Sequence, residues 1–256
     1  MSIQNCLKFL KKYRLFFIAG IFVFLSAYCL AAKLNHVEVS TNASKKFPIY
    51  RVDTKEKKVA ITFDTNWGTN NTKKVLDILD KYSAKATFFL MGTWVDKHPE
   101  ETKEIFKRGH EIGNHSNSHA DFTLISESRM IEEIAATDAK LIKLIGKDSK
   151  IFRFPSGSYN EKAVKAAENT NHFCIQWDID SIDWKERGAD IEYNRVMKNV
   201  KPGSIILFHD NARYTPDNLI RIIGELQKEG YKFVTVSDLI YKDNYYIDNA
   251  GVQKLN

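Results

Sequence analysis

Short apolar runs alternate with segments of helical spacing over most of the chain. Between the runs, apolar positions recur three and four residues apart, as in 75–82 and 131–145. This alternation predicts parallel strands joined by crossover helices, and hence an α/β sheet or barrel. The seven runs rich in β-branched and aromatic residues are 59–64, 85–92, 110–115, 151–155, 172–180, 204–210 and 232–236.

The N-terminus departs from this alternation. Residues 15–32 form an uncharged run of 18 residues behind a basic flank, just long enough to span a bilayer. We expect residues 1–32, the leader, to be a membrane anchor or, alternatively, a cleaved signal peptide. The basic flank would stay inside the cell, so residues 33–256 would lie outside, anchored to the membrane or secreted. Residues 33–57 read as a polar linker, 58–241 as one folded domain and 242–256 as a polar tail.

The net charge of +6 comes mostly from the leader. Lys8, Lys11, Lys12 and Arg14 account for four of these charges and no acidic residue precedes position 33, which leaves about +2 for the rest. Residues 33–256 contain no basic stripe with interleaved aromatic residues, so we expect no nucleic-acid partner. Their single cysteine, Cys174, lies in an apolar run and is predicted to be a small core residue.

Polar residues cluster where the predicted strands end. Because the carboxyl ends of parallel strands share one face, functional sites are built there. Five strand ends contributing His, Asp and Arg to one rim therefore predict a site. The residues concerned are Asp64, His115, Arg153, Asp180 with Asp183, and His209 with Asp210.

Two of these side chains suggest a metal. His115 and His119 are four residues apart, so both imidazoles can face one ion. Two neutral imidazoles leave the charge of a divalent ion uncompensated, so a carboxylate is expected nearby. Asp64 is the nearest candidate by strand order. It could equally be a general base that takes a proton from water.

The remaining strand-end residues suggest acid–base chemistry. His209 could be the general acid matching Asp64, with Asp183 orienting its imidazole. Arg153 sits in an apolar run, and a buried arginine needs a carboxylate partner, for which Asp64 is a candidate. Trp67 is predicted to be exposed beside the site, where it could stack on a sugar. Each residue alone could instead be a helix cap or a core residue, so the prediction of a functional site depends on their combination.

Five motifs, in order, resemble the polysaccharide deacetylases with a NodB-homology domain, carbohydrate esterase family 4. The resemblance covers about residues 57–240 and implies a distorted (β/α) barrel of about seven parallel strands. It also implies hydrolysis of N-acetyl groups on a glycan, assisted by a divalent metal, for which we expect zinc. The motifs are TFD at 62–64, HSNSH at 115–119, RFPSG at 153–157, DSIDW at 180–184 and LFH at 207–209.

Carried over residue by residue, the resemblance implies a role for each position. Asp64 would be the base held by Arg153, and His209 the acid tuned by Asp183. His115 and His119 would be metal ligands. The main chain near Ser156 would stabilise the oxyanion, and Trp184 and Leu207 would line the acetyl-methyl pocket.

The sequence departs from the family at Thr65, where the family usually has a second, metal-binding Asp. The third ligand could be Thr65, Asn66, Asp64 itself or water, and weaker metal affinity is expected. Some relatives that act on the muramic acid of spore-cortex peptidoglycan also lack a carboxylate here, which points to a cell-wall or sporulation enzyme. The alternatives are a deacetylase of chitin oligomers or O-acetyl esters, and a non-catalytic glycan-binding module. The sequence gives no indication of oligomeric state.

Overall fold

The computed structural model describes residues 46–256. The predicted membrane segment at 15–32 and most of the predicted linker lie outside the described residues. Within residues 46–256, no helix has the length and apolar character needed to cross a membrane.

Strands and helices alternate through the described chain, as the hydrophobic pattern predicts. The strands are β1 (Arg51–Val52), β2 (Lys58–Thr65), β3 (Ala86–Leu90), β4 (Glu111–Asn114), β5 (Ile151–Phe152), β6 (Phe173–Cys174), β7 (Ile179–Asp180), β8 (Ile205–Phe208), β9 (Lys232–Phe233), β10 (Tyr245–Ile247) and β11 (Val252–Leu255). The α-helices are α1 (Thr72–Lys81), α2 (Gly92–Lys97), α3 (Pro99–Lys107), α4 (Glu127–Ile145), α5 (Glu161–Asn169), α6 (Ala189–Met197), α7 (Thr215–Lys228) and α8 (Val236–Leu239).

The main sheet has the strand order β6-β5-β4-β3-β2-β8-β7, and β9 pairs with the start of β2. Every pairing in it is parallel. The predicted α/β fold with about seven parallel strands in a distorted barrel is therefore confirmed. The apolar run 172–180 contains two strands rather than one, and β6 and β7 lie at opposite edges of the sheet.

Apolar side chains between the sheet and the helices form the largest core cluster. Phe63, Phe88 and Phe208 belong to it and are fully buried. The Phe63 and Phe88 rings stack with centroids 4.7 Å apart. Burying each such ring stabilises the fold by about 1.5–3 kcal/mol relative to leaving it exposed. Cys174 is buried in a second cluster with Phe152 and Phe154, which agrees with its prediction as a core residue.

Capping residues define both ends of the long helix α4. The Ser126 side chain accepts a hydrogen bond from the Arg129 N–H at the N-terminus. Gly146 ends the helix at φ 71°, in the left-handed conformation that glycine adopts without steric cost. These two residues therefore set the ends of the helix.

The two ends of the described chain form a second, small sheet. β11 pairs in parallel with β1 and antiparallel with β10. Segments expected to be a polar linker and a polar tail thus contribute strands, because their backbone groups pair with each other. Gly251 makes this approach possible, since a Cβ there would lie 2.2 Å from Tyr50 Cδ2. The folded unit extends beyond the predicted range 58–241.

Candidate active site

Asp64 and Arg153 form a buried ion pair at the centre of the barrel rim. Asp64 is the penultimate residue of β2, and Arg153 directly follows β5. Arg153 Nη1 donates to Asp64 Oδ1 and to Thr62 Oγ1, both at 2.8 Å, and Nη2 donates to Gln176 O at 3.1 Å. The guanidinium lies 4.0 Å from the centroid of the Phe89 ring. One oxygen of Asp64 is thus held by Arg153, while Oδ2 is turned toward the histidines.

This environment keeps Asp64 ionised. Burial acts to raise the pKa of Asp64, but the positive charge of Arg153 and the imidazoles of His115 and His209 outweigh it, so the pKa lies below its ordinary value. A carboxylate that is ionised and has a free oxygen can accept a proton. The geometry therefore suits a general base.

His115 and His119 face each other across a tight turn. Their ring centroids are 5.1 Å apart. Residues 115–119, the histidine loop, are not helical: Ser116 and His119 both have positive φ, 63° and 61°. The pair therefore comes together through a turn after β4 rather than through one turn of a helix.

His115 has the tautomer and charge state of a metal ligand. Its Nδ1 lies 2.9 Å from the carbonyl oxygen of Arg153, to which an Nδ1–H donates. Its Nε2 is buried without a hydrogen-bond partner, 3.6 Å from Asp64 Oδ2. Burial lowers the pKa of His115 to about 4, so the imidazole is neutral near pH 7 and Nε2 carries a lone pair.

Helix α4 holds the histidine loop through a residue that sequence reasoning missed. Glu133 is fully buried and accepts hydrogen bonds from the Ser118 N–H and the Ser118 hydroxyl, both at 2.7 Å. Arg129 Nη2 donates to the same carboxylate at 2.6 Å. The only sequence signal is a glutamate on the apolar face of a helix, since its partner lies 15 residues away.

The three candidates for a third metal ligand occupy different places. Asn66 is buried, and its Nδ2 lies 3.3 Å from His119 Nε2. Thr65 is buried, and its hydroxyl has no hydrogen-bond partner. Burial raises the pKa of the nearby Asp210 to about 6, and the hydrogen bond from Thr72 limits that rise. Asp64 is engaged by Arg153. Within residues 46–256, no three His, Cys, Asp or Glu side chains form a cluster that could hold a metal ion.

His209, which is partly buried, forms a second pair with the buried Asp183. Asp183 Oδ1 lies 2.8 Å from His209 Nδ1, and Oδ2 accepts a hydrogen bond from the His209 N–H at 2.7 Å. Thr215 Oγ1 and the Trp184 N–H also donate to this carboxylate. Burial acts to lower the pKa of His209, but Asp183 outweighs it and the pKa is raised. His209 therefore suits a proton donor at Nε2.

The predicted substrate-binding residues lie around this rim with different exposure. Leu207 is buried on β8, two residues before His209, so both side chains face the same side of the sheet. Ser156 has φ 54° in the turn after β5. Trp67 is 60% exposed, with its ring centroid 5.5 Å from that of His119. Trp184 is 55% exposed and lies against Lys185, so it is an open surface rather than an enclosed wall.

The chain is similar in sequence to curated bacterial proteins. The chain is 37% identical over 196 residues to a peptidoglycan-N-acetylglucosamine deacetylase of Bacillus cereus, covering 75% of this chain and 92% of that protein. It is 32% identical over 197 residues to the peptidoglycan-N-acetylmuramic acid deacetylase PdaA of Bacillus subtilis, covering 75% of each. The match spans 60% of a further, uncharacterised B. subtilis protein.

One protein of known structure with the same fold is described as a pseudoenzyme rather than as a deacetylase. A Bacillus anthracis protein described as a CE4 family pseudoenzyme superposes with a TM-score of 0.73 at 33% identity, covering 75% of this chain and 68% of that one. The sequence profile of the polysaccharide deacetylase family matches residues 51–174. This chain belongs to the polysaccharide deacetylase family.

Proposed function

We propose that this chain is a metal-dependent hydrolase that removes N-acetyl groups from amino sugars of peptidoglycan. One observation carries the proposal: two hydrogen-bonded pairs lie on one rim, Asp64 with Arg153 and His209 with Asp183, each at 2.8 Å. Their partners displace the two pKa values in opposite directions, lowering the pKa of Asp64 and raising that of His209. Asp64 is kept ready to accept a proton, and His209 is kept ready to donate one. Such a separation assigns base and acid roles in enzymes that work near neutral pH.

The site residues divide the chemistry between them. Asp64 Oδ2 takes a proton from the attacking water, whose oxygen bonds to the acetyl carbon. Backbone N–H groups near Ser156 donate to the oxyanion that forms. The Nε2–H of His209 protonates the amine nitrogen as the carbon–nitrogen bond breaks, releasing acetate. Asp183 holds the imidazole and compensates its charge.

The histidine pair fits a divalent metal. His115 Nε2 is buried, unpartnered and neutral, and it faces a carboxylate, which matches the nitrogen and oxygen donors that zinc prefers. His115 and His119 would hold the ion. When bound, it would supply Lewis-acid activation of the acetyl carbonyl and of water.

The relatives support peptidoglycan as the polymer, because two of them are named for N-deacetylation of its two amino sugars. We expect the exposed Trp67 beside His119 to stack on a sugar ring. The leader would place the domain outside the membrane, anchored or secreted, where the cell wall lies. A role in sporulation stays a prediction from the departure at Thr65.

Acetate release tests the proposal directly. The purified chain should release acetate from peptidoglycan in the presence of zinc, more than from chitin oligomers or an O-acetyl ester. Asp64→Asn should lower turnover by about two to four orders of magnitude, the usual contribution of general base catalysis. Circular dichroism should show that the variant remains folded.

The alternative is a non-catalytic protein, as described for the B. anthracis relative. No acetate from any of these substrates at saturating zinc would favour that alternative. If Asp64→Asn turns over substrate at the wild-type rate, Asp64 is not the general base. Release from chitin oligomers alone would reassign the substrate.

A further inference from the structure

We propose that Glu192 is a positioning residue for the general acid, and that it acts through a buried carboxyl–amide pair with Asn218 near Asp183. Glu192 holds a proton in acidic solution and releases it near neutral pH, and the negative charge that then forms helps His209 to keep its own proton. The inference rests on the proposed role of His209 as the acid. Three features carry it: the hydrogen bond within the pair, two buried oxygens without partners, and the charges around Glu192.

Glu192 and Asn218 join two neighbouring helices. Glu192 lies on α6 and Asn218 on α7, and both side chains are fully buried. Asn218 Nδ2 donates a hydrogen bond to Glu192 Oε2 at 3.1 Å. Within residues 46–256, the Glu192 carboxyl forms no ion pair, so no cation compensates its charge. Burying an uncompensated carboxylate is costly, and such a group usually takes up a proton and becomes neutral instead.

The hydrogen-bonding capacity of the pair also favours the neutral form. Glu192 Oε1 and Asn218 Oδ1 are both buried and have no hydrogen-bond partner. An ionised carboxyl and an amide oxygen can only accept hydrogen bonds, so neither can satisfy the other. Turning the amide over would only bring its oxygen toward the carboxylate. A proton on Glu192 Oε1 supplies the missing donor, because the resulting hydroxyl can donate to Asn218 Oδ1 while Asn218 Nδ2 donates to Oε2.

The surrounding charges act in the same direction. Burial raises the pKa of Glu192 to about 7, and the negative charges of Asp183 and Glu186, both in the segment after β7, add to this rise. The group that faces Glu192 from α7 is the uncharged amide of Asn218, whose hydrogen bond limits the rise. Arg221, the nearest cation along α7, forms an ion pair elsewhere. Glu192 therefore changes its charge near neutral pH.

The pair reaches the general acid through Asp183. Thr215 lies one turn before Asn218 at the start of α7 and donates to Asp183 Oδ2 at 2.7 Å. Asp183 Oδ1 lies 2.8 Å from His209 Nδ1. Because the charge of Asp183 raises the pKa of Glu192, an ionised Glu192 in turn adds negative potential around Asp183. A nearby negative charge favours a protonated imidazole, so ionisation of Glu192 extends the pH range over which His209 remains an acid.

The same titration makes the stability of the fold depend on pH. The pKa of Glu192 is higher in the folded chain than its ordinary value, which applies in the unfolded chain. The stabilising contribution of the pair is therefore complete below the ordinary pKa and is lost as pH rises through about 7. Glu192→Gln removes this dependence, because its amide can donate to Asn218 Oδ1 and accept from Nδ2 without titrating.

Two measurements on the full chain and on Glu192→Gln test the proposal. In urea unfolding, the equilibrium constant for unfolding of the wild type should rise relative to that of Glu192→Gln by at least about tenfold between about pH 5 and about pH 8. In an NMR titration, the pKa of the His209 imidazole should be lower in Glu192→Gln than in the wild type. The alkaline limb of the kcat–pH profile should move to lower pH with it, by less than in Asp183→Asn.

Asp190→Asn is the matched control on the same helix. It removes an exposed carboxylate that is paired with Arg221, and it should change neither the pH dependence of unfolding nor the pKa of His209. Because Glu192→Gln is expected to gain relative stability at alkaline pH, misfolding cannot imitate the expected result.

Two results would overturn the proposal. If the stability of Glu192→Gln relative to the wild type is the same at both pH values, Glu192 holds no proton in the folded chain. If this relative stability changes with pH but the pKa of His209 does not differ, the pair supports the fold and does not act on the acid. The unfolding and NMR measurements need no substrate, so the pair can fail while the proposed function stands, and the reverse.

Discussion

Arg153 connects the two halves of the candidate site. Its guanidinium binds Asp64, and its backbone carbonyl accepts from His115 Nδ1. One residue therefore fixes both the ionisation of the proposed base and the tautomer of a proposed metal ligand. It is fully buried, and removing one partner of such a pair typically costs about 3–5 kcal/mol because the other charge is left uncompensated. Stability and catalysis thus depend on the same contact.

The pair of His209 and Asp183 predicts the pH dependence of turnover. The raised pKa of His209 means that the acid form is present below this pKa and is lost as pH rises through it. Asp183→Asn removes the charge responsible, so the alkaline limb of a kcat–pH profile should move to lower pH. A variant that was damaged only in structure would lose activity at all pH values without moving the limb.

A matched control for this experiment is Asp178→Asn. Asp178 accepts hydrogen bonds from Ser204 and from the Ile205 N–H at the start of β8, the end of the sheet opposite His209. Its loss should leave the alkaline limb in place. An unmoved limb in Asp183→Asn would contradict the role of Asp183 in setting the pKa of His209.

At the scale of elements, helix α4 positions the histidine loop. Glu133→Gln keeps the size of the side chain but replaces one acceptor oxygen with an NH2 donor. The groups that contact this carboxylate, from Ser118 and Arg129, are also donors, so one hydrogen bond is lost. We expect the free energy of unfolding to fall by about 1–3 kcal/mol. We also expect the Kd for zinc to rise by about 10- to 100-fold, as when other groups supporting metal ligands are lost. Urea denaturation and metal titration measure the two effects.

Glu132 provides the control on the same helix. It is 64% exposed and forms an ion pair with Arg129, so Glu132→Gln should change stability by no more than about 1 kcal/mol and leave the Kd for zinc unchanged. If the two variants bind zinc equally well, the contact between α4 and the loop does not support the metal site.

At the scale of the whole molecule, the two ends of the described chain close the gap in the barrel. Ile49 pairs with the chain at the end of β6: its N–H donates to Cys174 O at 2.8 Å, and its carbonyl accepts from the Gln176 N–H at 2.7 Å. The Val52 N–H donates to Gly203 O, just before β8. The segment therefore links the edge strand β6 to the start of β8, and β11 pairs with it. The distortion of the barrel is stabilised by residues outside the family motifs.

Gln253 tests the importance of this closure. It is fully buried, and its side chain accepts from the Tyr241 N–H at 2.9 Å and donates to the Tyr241 carbonyl at 2.7 Å. Gln253→Ala should lower the free energy of unfolding by about 1–3 kcal/mol, because a buried N–H and C=O lose their partners. Thermal and urea unfolding measure the change.

The neighbouring Lys254→Ala removes a partly exposed ion pair with Asp248 and should cost no more than about 1 kcal/mol. Equal stability of the two variants would mean that the contacts of Gln253 with Tyr241 do not stabilise the fold.

The sequence alone determined the features that depend on local order. Hydrophobic periodicity predicts strands and helices because it follows from the geometry of each element, and polar residues at strand ends predict where a site forms. The motifs predict which residues belong to it, including Asp64, His115, Arg153 and His209.

Tertiary structure decided everything that depends on contacts between distant residues. The sequence names Asp64 as the candidate partner of Arg153, but the 2.8 Å contact across 89 residues of chain depends on how β2 and β5 are placed in the sheet. Three further features depend on contacts between distant residues. They are the separation of run 172–180 into strands at opposite edges, the pairing of the chain ends, and the placement of Glu133 beneath the histidine loop. The contact between Asn66 and His119, which are 53 residues apart, is also of this kind.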